Sequence, residues 1–360
     1  MANPSLAPVK VTVVGAGGAG GNAIARMARS GIQGVDLLAL NTDVQALSQV
    51  KSVRTFAIGP ETTRGMGSGG RPETGRKAMK ESQEQVSQLL EGSDMVFVAS
   101  GMGGGTGTGA APIIADIARR QGALTVGVVT LPFSFEGSQR RETAEQGLRQ
   151  LREKVDTLIA VENDRLLPAL NGDVRLDKAF ELADEVLRQG VQGIADLVTV
   201  PGMINVDFAD VKAVMRNGGP TYMAVGEGRG KSATTQAAQF ALSNPLFDAP
   251  LRGASGILFN VTGGKDLTLG QVHEVADLIR EASDSDANVV FGVVQDKRLK
   301  GRVSLTLVAT GVRQGPGSET DSDGEDDEVG DTGPGLLETV ARVASNGHHV
   351  DDPKLTTRLF

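Results

Sequence analysis

Ser100-Gly101-Met102-Gly103-Gly104-Gly105-Thr106-Gly107-Thr108-Gly109 is the stretch on which the reading of this chain turns. It follows Met95-Val96-Phe97-Val98-Ala99, a short apolar run that reads as a buried strand. Behind it, Ala110 to Ala118 reads as a helix with Pro112 in its first turn, where a missing N–H costs nothing. Glycines at a strand-to-helix turn bring backbone N–H groups and the positive helix end to one place, which suits an anion. Thr106 and Thr108 add hydroxyl donors. A flexible linker is the plain alternative, but a linker is not squeezed between a buried strand and a helix.

Composition narrows the class. A chain of 360 residues with 39% hydrophobic content can bury two sizeable cores. With no cysteine there is no disulfide, thiolate metal site or cysteine chemistry. Met1-Ala2-Asn3-Pro4-Ser5 lacks the pattern of a secretory signal, and no apolar run is long enough for a membrane helix, so a soluble, cytoplasmic protein is expected. The formal charge of −8 is concentrated in one place: Glu319, Asp321, Asp323, Glu325, Asp326, Asp327, Glu328 and Asp331, with no Lys or Arg between Gln314 and Leu337. The rest of the chain is neutral, which argues against a nucleic-acid binder.

Upstream, Val9 to Val14 reads as a first strand running into Gly15-Ala16-Gly17-Gly18-Ala19-Gly20-Gly21-Asn22 and then a helical pattern through Ala28. Gly15, Gly17 and Gly20 satisfy the dinucleotide fingerprint, so an NAD(P)-dependent oxidoreductase is a rival reading. That fingerprint wants an acid at the end of the next strand. Here Val35 to Leu40 ends in Asn41-Thr42, and Asp43 comes late. Further strands are expected at Val53–Ile58 and Leu124–Val129, a Gly-rich loop with Arg64 and Arg71 at Gly59–Pro72, and a helix over Glu73–Leu90. Strands alternating with helices predict a mostly parallel, Rossmann-like α/β sheet with both Gly-rich loops on one edge.

Leu176 to Leu197 reads as one long helix, with apolar residues at three- and four-residue steps and Gly190 and Gly193 leaving room for a close neighbour. Pro201-Gly202 ends it. Asn205-Val206-Asp207-Phe208-Ala209-Asp210 leads into a helix through Met215. A second, smaller α/β unit follows: strand Tyr222–Val225, helix Thr234–Leu242, strand Ile257–Thr262, helix Leu269–Ala282, and strands Val289–Val294 and Val303–Ala309. Within it Val225 to Ser232 mimics the end of a P-loop, but the first glycine of that pattern is missing; a strand-to-helix turn with Lys231 in solvent is expected. From Arg313 the composition turns to Gly, Ser, Thr, Asp and Glu, the mark of a disordered, self-repelling linker.

Over about residues 9 to 312 these motifs resemble the tubulin/FtsZ family, whose prokaryotic members form GTP-dependent division filaments. Gly103 to Gly109 matches the family's signature loop, Gly17 to Asn22 its first phosphate loop, and Pro132 to Gly137 with Arg140 its sugar- and phosphate-contacting segment. The resemblance implies GTP or GDP as ligand, with Mg2+, and no metal site built by protein residues alone. It implies nucleotide contacts at Gly18, Ala19, Gly20, Gly21, Asn22, Gly105, Thr106, Gly107, Glu136, Arg140 and Asp184. Glu136 can accept from ribose hydroxyls, Arg140 can offset phosphate charge, and Asp184 can accept from the N1–H and 2-amino group of guanine. Asn205, Asp207 and Asp210 resemble the synergy loop that enters the next subunit's site, which makes them the catalytic candidates. Read without the resemblance, Asp207 is equally well a helix cap and Asp184 a solvated helix acid.

The expected organisation is a nucleotide domain (1–175), a connecting helix (176–200), a C-terminal domain (201–312), an acidic linker (313–349) and a partner-binding peptide (350–360). By resemblance the partners are further copies of the chain, head to tail, and a membrane-tethering adaptor of FtsA or SepF type docking on 350–360. Neither nucleic acid nor direct membrane insertion is expected. That locates the protein in the cytoplasm at the division site. A cell-shape or regulatory relative of the same superfamily is the nearer alternative.

Overall fold

Short runs of Val, Ile, Leu and Phe bounded by glycine build the strands, and amphipathic segments between them cover both faces. The computed structural model describes residues 9–169, 175–200, 202–243, 251–284 and 286–312. In chain order the first part comprises β1 (Val11–Ala16), α1 (Gly17–Ser30), β2 (Val35–Asn41), α2 (Val44–Gln49), β3 (Arg54–Ala57), α3 (Pro60–Thr63), α4 (Pro72–Glu81), α5 (Gln83–Leu90), β4 (Met95–Gly101), α6 (Thr106–Arg120), β5 (Leu124–Leu131), α7 (Ser138–Arg152) and β6 (Thr157–Glu162). The long helix α8 (Leu176–Thr199) and the short α9 (Phe208–Met215) follow. The remainder is β7 (Gly219–Arg229), α10 (Ala233–Leu242), β8 (Gly256–Gly263), α11 (Leu269–Ala282), β9 (Asn288–Gln295) and β10 (Arg302–Thr310). The linker 313–349 and the peptide 350–360 lie outside the described residues.

The strands form one sheet in the order β3-β2-β1-β4-β5-β6-β7-β10-β8-β9. Strands β1 to β6 pair in parallel, and only β10 runs antiparallel to its neighbours β7 and β8. The mostly parallel α/β expectation therefore holds. Because side chains alternate along a strand, each sheet face acquires its own core. Val11, Val13, Met95 and Phe97 face α1 and α8 through Ile24, Met27, Leu187 and Ile194. Val14, Val96 and Val98 face α4 to α7 through Met79, Leu90, Ile114 and Leu151. A third core, built on Phe259, Leu305, Leu307 and Ile279, closes α10 and α11 onto β7–β10. The strand order reverses between β1 and β4, and in doubly wound sheets ligands sit beyond the strand carboxyl ends at that switch point.

Several local expectations change. Helix α6 starts at Thr106, four residues before the expected Ala110, so Pro112 is interior rather than in the first turn. The reason is that Thr106-Gly107-Thr108-Gly109 is itself the first helical turn: the Gly109 N–H already donates to the Gly105 carbonyl at 3.0 Å. The helix expected over Glu73–Leu90 is two helices meeting at Ser82, whose hydroxyl is taken by the Gly59 N–H at 3.0 Å. Helix α7 and strand β6 have no counterpart in the sequence reading; α7 is so polar that its small buried face carries little periodic signal. Strand β7 extends to Arg229 and takes in the first part of the P-loop-like segment, leaving Gly230–Ser232 as the turn into α10; a side chain on Gly226 or Gly228 would overlap the carbonyls of Ala237 or Ala233 in α10. Lys231 is exposed, as expected.

The two glycines of α8 do provide close approach. A Cβ on Gly190 would lie 3.2 Å from Val128 Cγ1, and one on Gly193 would overlap the side chain of Thr306 on β10. Gly193→Ala gains about 1 kcal/mol of helix propensity but overpacks a stiff β-branched neighbour, at a cost of about 1–3 kcal/mol. A lowered urea midpoint is expected, with recovery in the Gly193→Ala/Thr306→Ala pair; a midpoint raised above wild type in Gly193→Ala alone would show that the seam relaxes freely.

Candidate functional site

The two Gly-rich loops meet at the switch point. Gly17 opens α1 at φ +74°, and a Cβ there would stand 2.8 Å from the backbone nitrogen of Gly107. Strand β4 enters from below: a Cβ on Gly20 would lie 2.5 Å from the Ala99 carbonyl, and one on Gly101 would lie 2.7 Å from Ala19 Cβ. By contrast, Gly18 and Gly104 face open space. The first N–H groups of α6 have no intrahelical partner and carry the positive end of the helix dipole. Those N–H groups, rather than the threonine hydroxyls, are what the loop offers an anion. The Thr106 hydroxyl is tied to Thr42 Oγ1 at 2.6 Å and Ser68 Oγ at 3.0 Å, and Thr108 Oγ1 accepts from the Gly103 N–H at 2.9 Å. These threonines lock the loop's shape to the turns after β2 and before α4.

A cleft of 220 Å³ opens above this cradle. Of the sequence candidates, Gly18, Ala19, Gly105, Thr106, Gly107, Glu136, Arg140 and Asp184 line it. Glu136 sits in the tight turn after β5, where its Oε1 accepts from the Phe133 N–H at 2.9 Å and its Oε2 pairs with Arg140 at 3.1 Å. The opposite wall is α8, which contributes Phe180, Ala183 and Asp184. Phe180 meets Phe133 edge-on at 5.5 Å, and Phe135 stacks on Phe133 at 5.0 Å, giving the mouth an apolar rim. Burial pushes the Asp184 carboxyl up to about 7; Arg26 and Arg29 pull the other way and Glu181 adds to the rise.

Gly20, Gly21 and Asn22 are not brought to the lining. Gly20 and Gly21 are buried, Gly20 against β4, while Asn22 is exposed one turn into α1. One lining residue went unread: Asn163, just after β6, is 5% exposed and its Oδ1 has no hydrogen-bond partner. A buried carbonyl without a donor is costly unless a ligand supplies one. Its position past the end of a parallel strand was the available signal, and it went unused because β6 itself was not read.

The loop carrying Asn205, Asp207 and Asp210 is elsewhere. Asp184 and Thr199 are fifteen residues apart on α8, about 22 Å along its axis. Thr199 lies against Gly34 at the start of β2, which is the edge opposite the strand carboxyl ends. All three candidates are exposed. Asn205 Oδ1 accepts from the Gly202 N–H at 2.6 Å, which shapes the loop. Asp207 occupies the N-cap position of α9, yet its carboxylate makes no capping bond. Asp43, the late acid of the dinucleotide reading, by contrast does cap its helix: its Oδ1 accepts from Gln45 N–H at 2.9 Å and Ala46 N–H at 3.0 Å. It sits past the end of β2 rather than at the strand end where the dinucleotide fingerprint wants its acid.

Fold and cleft thus define a doubly wound α/β protein with a glycine-lined anion cradle at its switch point. Residues 10–171 match the model of the tubulin/FtsZ family GTPase domain, and residues 219–313 that of the FtsZ family C-terminal domain. An empty FtsZ dimer from M. jannaschii aligns at 44% identity and a TM-score of 0.81, covering 85% of this chain and 89% of that one. A point mutant of the M. jannaschii protein aligns equally well and is covered over 92%. CetZ2 from Haloferax volcanii, as a GTPgS-bound protofilament, shares the fold at a TM-score of 0.73 and 22% identity, covering 94% of this chain and 99% of that one. The chain belongs to the tubulin/FtsZ family of GTP-binding cytoskeletal GTPases.

The raised Asp184 carboxyl has a measurable consequence in the nucleotide-free protein. Its folded value, about 7, lies above the unfolded value of 3.8, so the stability tied to its neutral form is present below pH 4 and lost as pH rises through 7. Asp184→Asn is therefore expected to raise the melting temperature at pH 8 and leave it unchanged near pH 4. A gain of the same size at both pH values would mean that the effect is packing and not ionisation.

Proposed function

We propose that this chain is a GTP-hydrolysing, self-assembling division protein whose active site is completed by the next copy in a head-to-tail filament. The observation that carries this is the separation of two exposed halves at opposite ends of α8. The cradle lies at the strand carboxyl ends, and Asn205, Asp207 and Asp210 at the other edge. The apolar surface is likewise divided: Met66 (77% exposed) and Phe135 (58%) at the cradle end, Met203 (67%) beside the aspartates. Stacking one copy on another brings both halves together. The dimer reported for the M. jannaschii FtsZ, at 44% identity, supports self-association, and the lower identity of CetZ, 22%, favours the division-protein reading over the nearer alternative.

The residues fit a guanine nucleotide. Open space above Gly18 and Gly104 admits phosphate to within reach of the backbone N–H groups of α6, and the neighbouring start of α1 (Gly20, Gly21, Asn22) extends the same positive edge. Arg140 neutralises phosphate charge, Glu136 accepts from the ribose, and Asp184 with the unpartnered Asn163 Oδ1 accepts from the N–H edge of guanine. No group of three His, Cys, Asp or Glu side chains placed to hold a metal ion exists among the described residues, so Mg2+ would take its ligands mainly from phosphate and water. The incoming Asp207 and Asp210 orient the attacking water, and Asn205 adds a polar contact; in phosphoryl transfer, positioning and charge compensation do most of the work.

Turnover per molecule is expected to be negligible in dilute solution and to rise steeply above a critical concentration. Asp210→Ala should bind GTP like wild type yet turn over at least about tenfold more slowly, or about 1.4 kcal/mol of barrier. A flat per-molecule rate across the concentration range, or equal losses of affinity and turnover in Asp210→Ala, would sink the shared site.

The cytoplasmic, membrane-adjacent location belongs to the same proposal. Among the described residues no helix is long and apolar enough to cross a membrane. The tether is then assigned to residues 350–360, where Asp352-Pro353, Leu355, Leu359 and Phe360 offer an adaptor groove an acidic and apolar face. Deleting 350–360 should leave polymerisation and GTP turnover intact while abolishing localisation to the division site. Normal localisation of the deletion mutant would remove the peptide from this role.

A further inference from the structure

The neutral net charge of the body conceals one strongly basic face. Three connections at the end of the second unit converge: the turn after β7 (229–232), the loop after β8 (264–268) and the β9–β10 connection (295–302). They are bonded to one another. The Gly230 N–H donates to the Gly301 carbonyl at 2.9 Å, the Gly301 N–H donates to Asp266 Oδ2 at 3.0 Å, and Arg302 is in register with Arg229. Together they carry Arg229, Lys231, Lys265, Lys297, Arg298, Lys300 and Arg302 against Asp266 and Asp296, with half-buried Glu227 of β7 beside Arg229 and Arg302.

The local pairing leaves this charge largely uncompensated. Asp296 is held well below the usual carboxylate range by its hydrogen bond to Arg298, which in turn raises Arg298. Asp266 is committed to the backbone at Gly301. Arg229, Lys231, Lys265, Lys297 and Lys300 are exposed and have no ion-pair partner among the described residues. A lone surface lysine is unremarkable. A run of them on bonded loops, with a net excess of four cations once Glu227 is counted, is a field that extends about a Debye length and attracts a polyanion.

The same chain contains the complementary polyanion. Its eight excess carboxylates all lie between Glu319 and Asp331. From Arg302 to Thr310 strand β10 rises about 26 Å, and the chain leaves it at Val312. Glu325 follows Val312 by thirteen residues, a separation with a root-mean-square reach of about 20 Å and a limit of about 45 Å. The acidic stretch can therefore reach back to the basic face of its own molecule.

We propose that the acidic segment 319–331 docks in cis on the basic face formed by Arg229, Lys231, Lys265, Lys297, Lys300 and Arg302. The bond is electrostatic and unstructured in sequence terms, so it loosens with salt. The segment is thereby held close to the body at low ionic strength and released at high. This does not depend on the filament reading.

The absence of cysteine makes the test direct, because a donor and an acceptor dye can be placed on Ser232→Cys/Ser322→Cys in the full chain. With a short-range dye pair, transfer efficiency should be high at about 20 mM salt and fall at least about twofold by 0.5 M, as screening collapses the attraction. A free, self-repelling acidic linker behaves oppositely: salt lets it contract and efficiency rises or stays flat. Adding Lys265→Glu, Lys297→Glu and Lys300→Glu should give the low value already at low salt. Mixing singly labelled chains should give no transfer, since the contact is intramolecular. Efficiency that is flat or rising with salt, or unaffected by the charge reversals, overturns the proposal. So does transfer found only between separate chains. Low transfer at low salt combined with pelleting on phosphatidylglycerol vesicles that the reversals abolish would reassign the face to a lipid surface.

Discussion

The close approach of backbone to backbone at the head of β1 and β4 is the constraint on which the rest depends. A Cβ on Gly17 would stand 2.8 Å from the Gly107 nitrogen, one on Gly107 would overlap the Ser100 hydroxyl and the Gly101 carbonyl, and Gly17 also takes a left-handed backbone. That contact brings the amino ends of α1 and α6 to one point, and two helix ends aimed together create an anion site that neither makes alone. The Thr42–Thr106–Ser68 hydroxyl chain then holds the shape from the other side, without spending those hydroxyls on the ligand. Preorganisation of this kind leaves little backbone to be ordered when an anion arrives.

Helix α8 carries the second constraint. It forms one wall of the cleft at Phe180 and Asp184, packs its glycines against β5, β7 and β10, and delivers the chain to the opposite edge at Thr199. Between these ends runs a buried polar seam. Arg188 bonds Glu185 at 2.6 Å and also bonds Gln192, and burial pushes the nearby Asp196 carboxyl up to about 6, with Gln192 and Arg188 pulling it back down. Such a seam is weak as a source of stability, and its bonds all lie within α8; the second unit is seated on the helix by the close approach of Gly193 to Thr306 on β10. The distance between cradle and aspartates is set by the length of α8, whose two ends lie at opposite edges of the sheet.

Much was legible in the residues themselves. Alternation of apolar runs with helical periods specified a parallel α/β sheet, because strands buried on both faces read as unbroken hydrophobic runs. Gly-rich segments directly after two of those runs located the cradle, since the helices that start there have unpaired N–H groups at their amino ends. The spacing of α8 and α11 was equally plain, each having one apolar stripe along its length. Helix α7 was not, since its buried face is only Ala144, Gly147 and Leu151 in a charged sequence. With it went β6, and with β6 the unpaired carbonyl of Asn163.

By itself, then, the sequence determined the kind of fold and the edge on which the glycine-lined cradle lies, because those depend on local periodicity and on where side chains are missing; Glu136, Arg140 and Asp184 were read from the family resemblance. Tertiary structure alone decided which groups meet. It showed that the threonines of the signature loop bond inward and that Asp43 caps its helix. It also showed that seven scattered cations share one face and that the aspartates of residues 205–210 stand a helix length away from the cradle. Contacts between residues far apart in the chain are set by sheet order and helix direction, and neither leaves a periodic trace in the sequence.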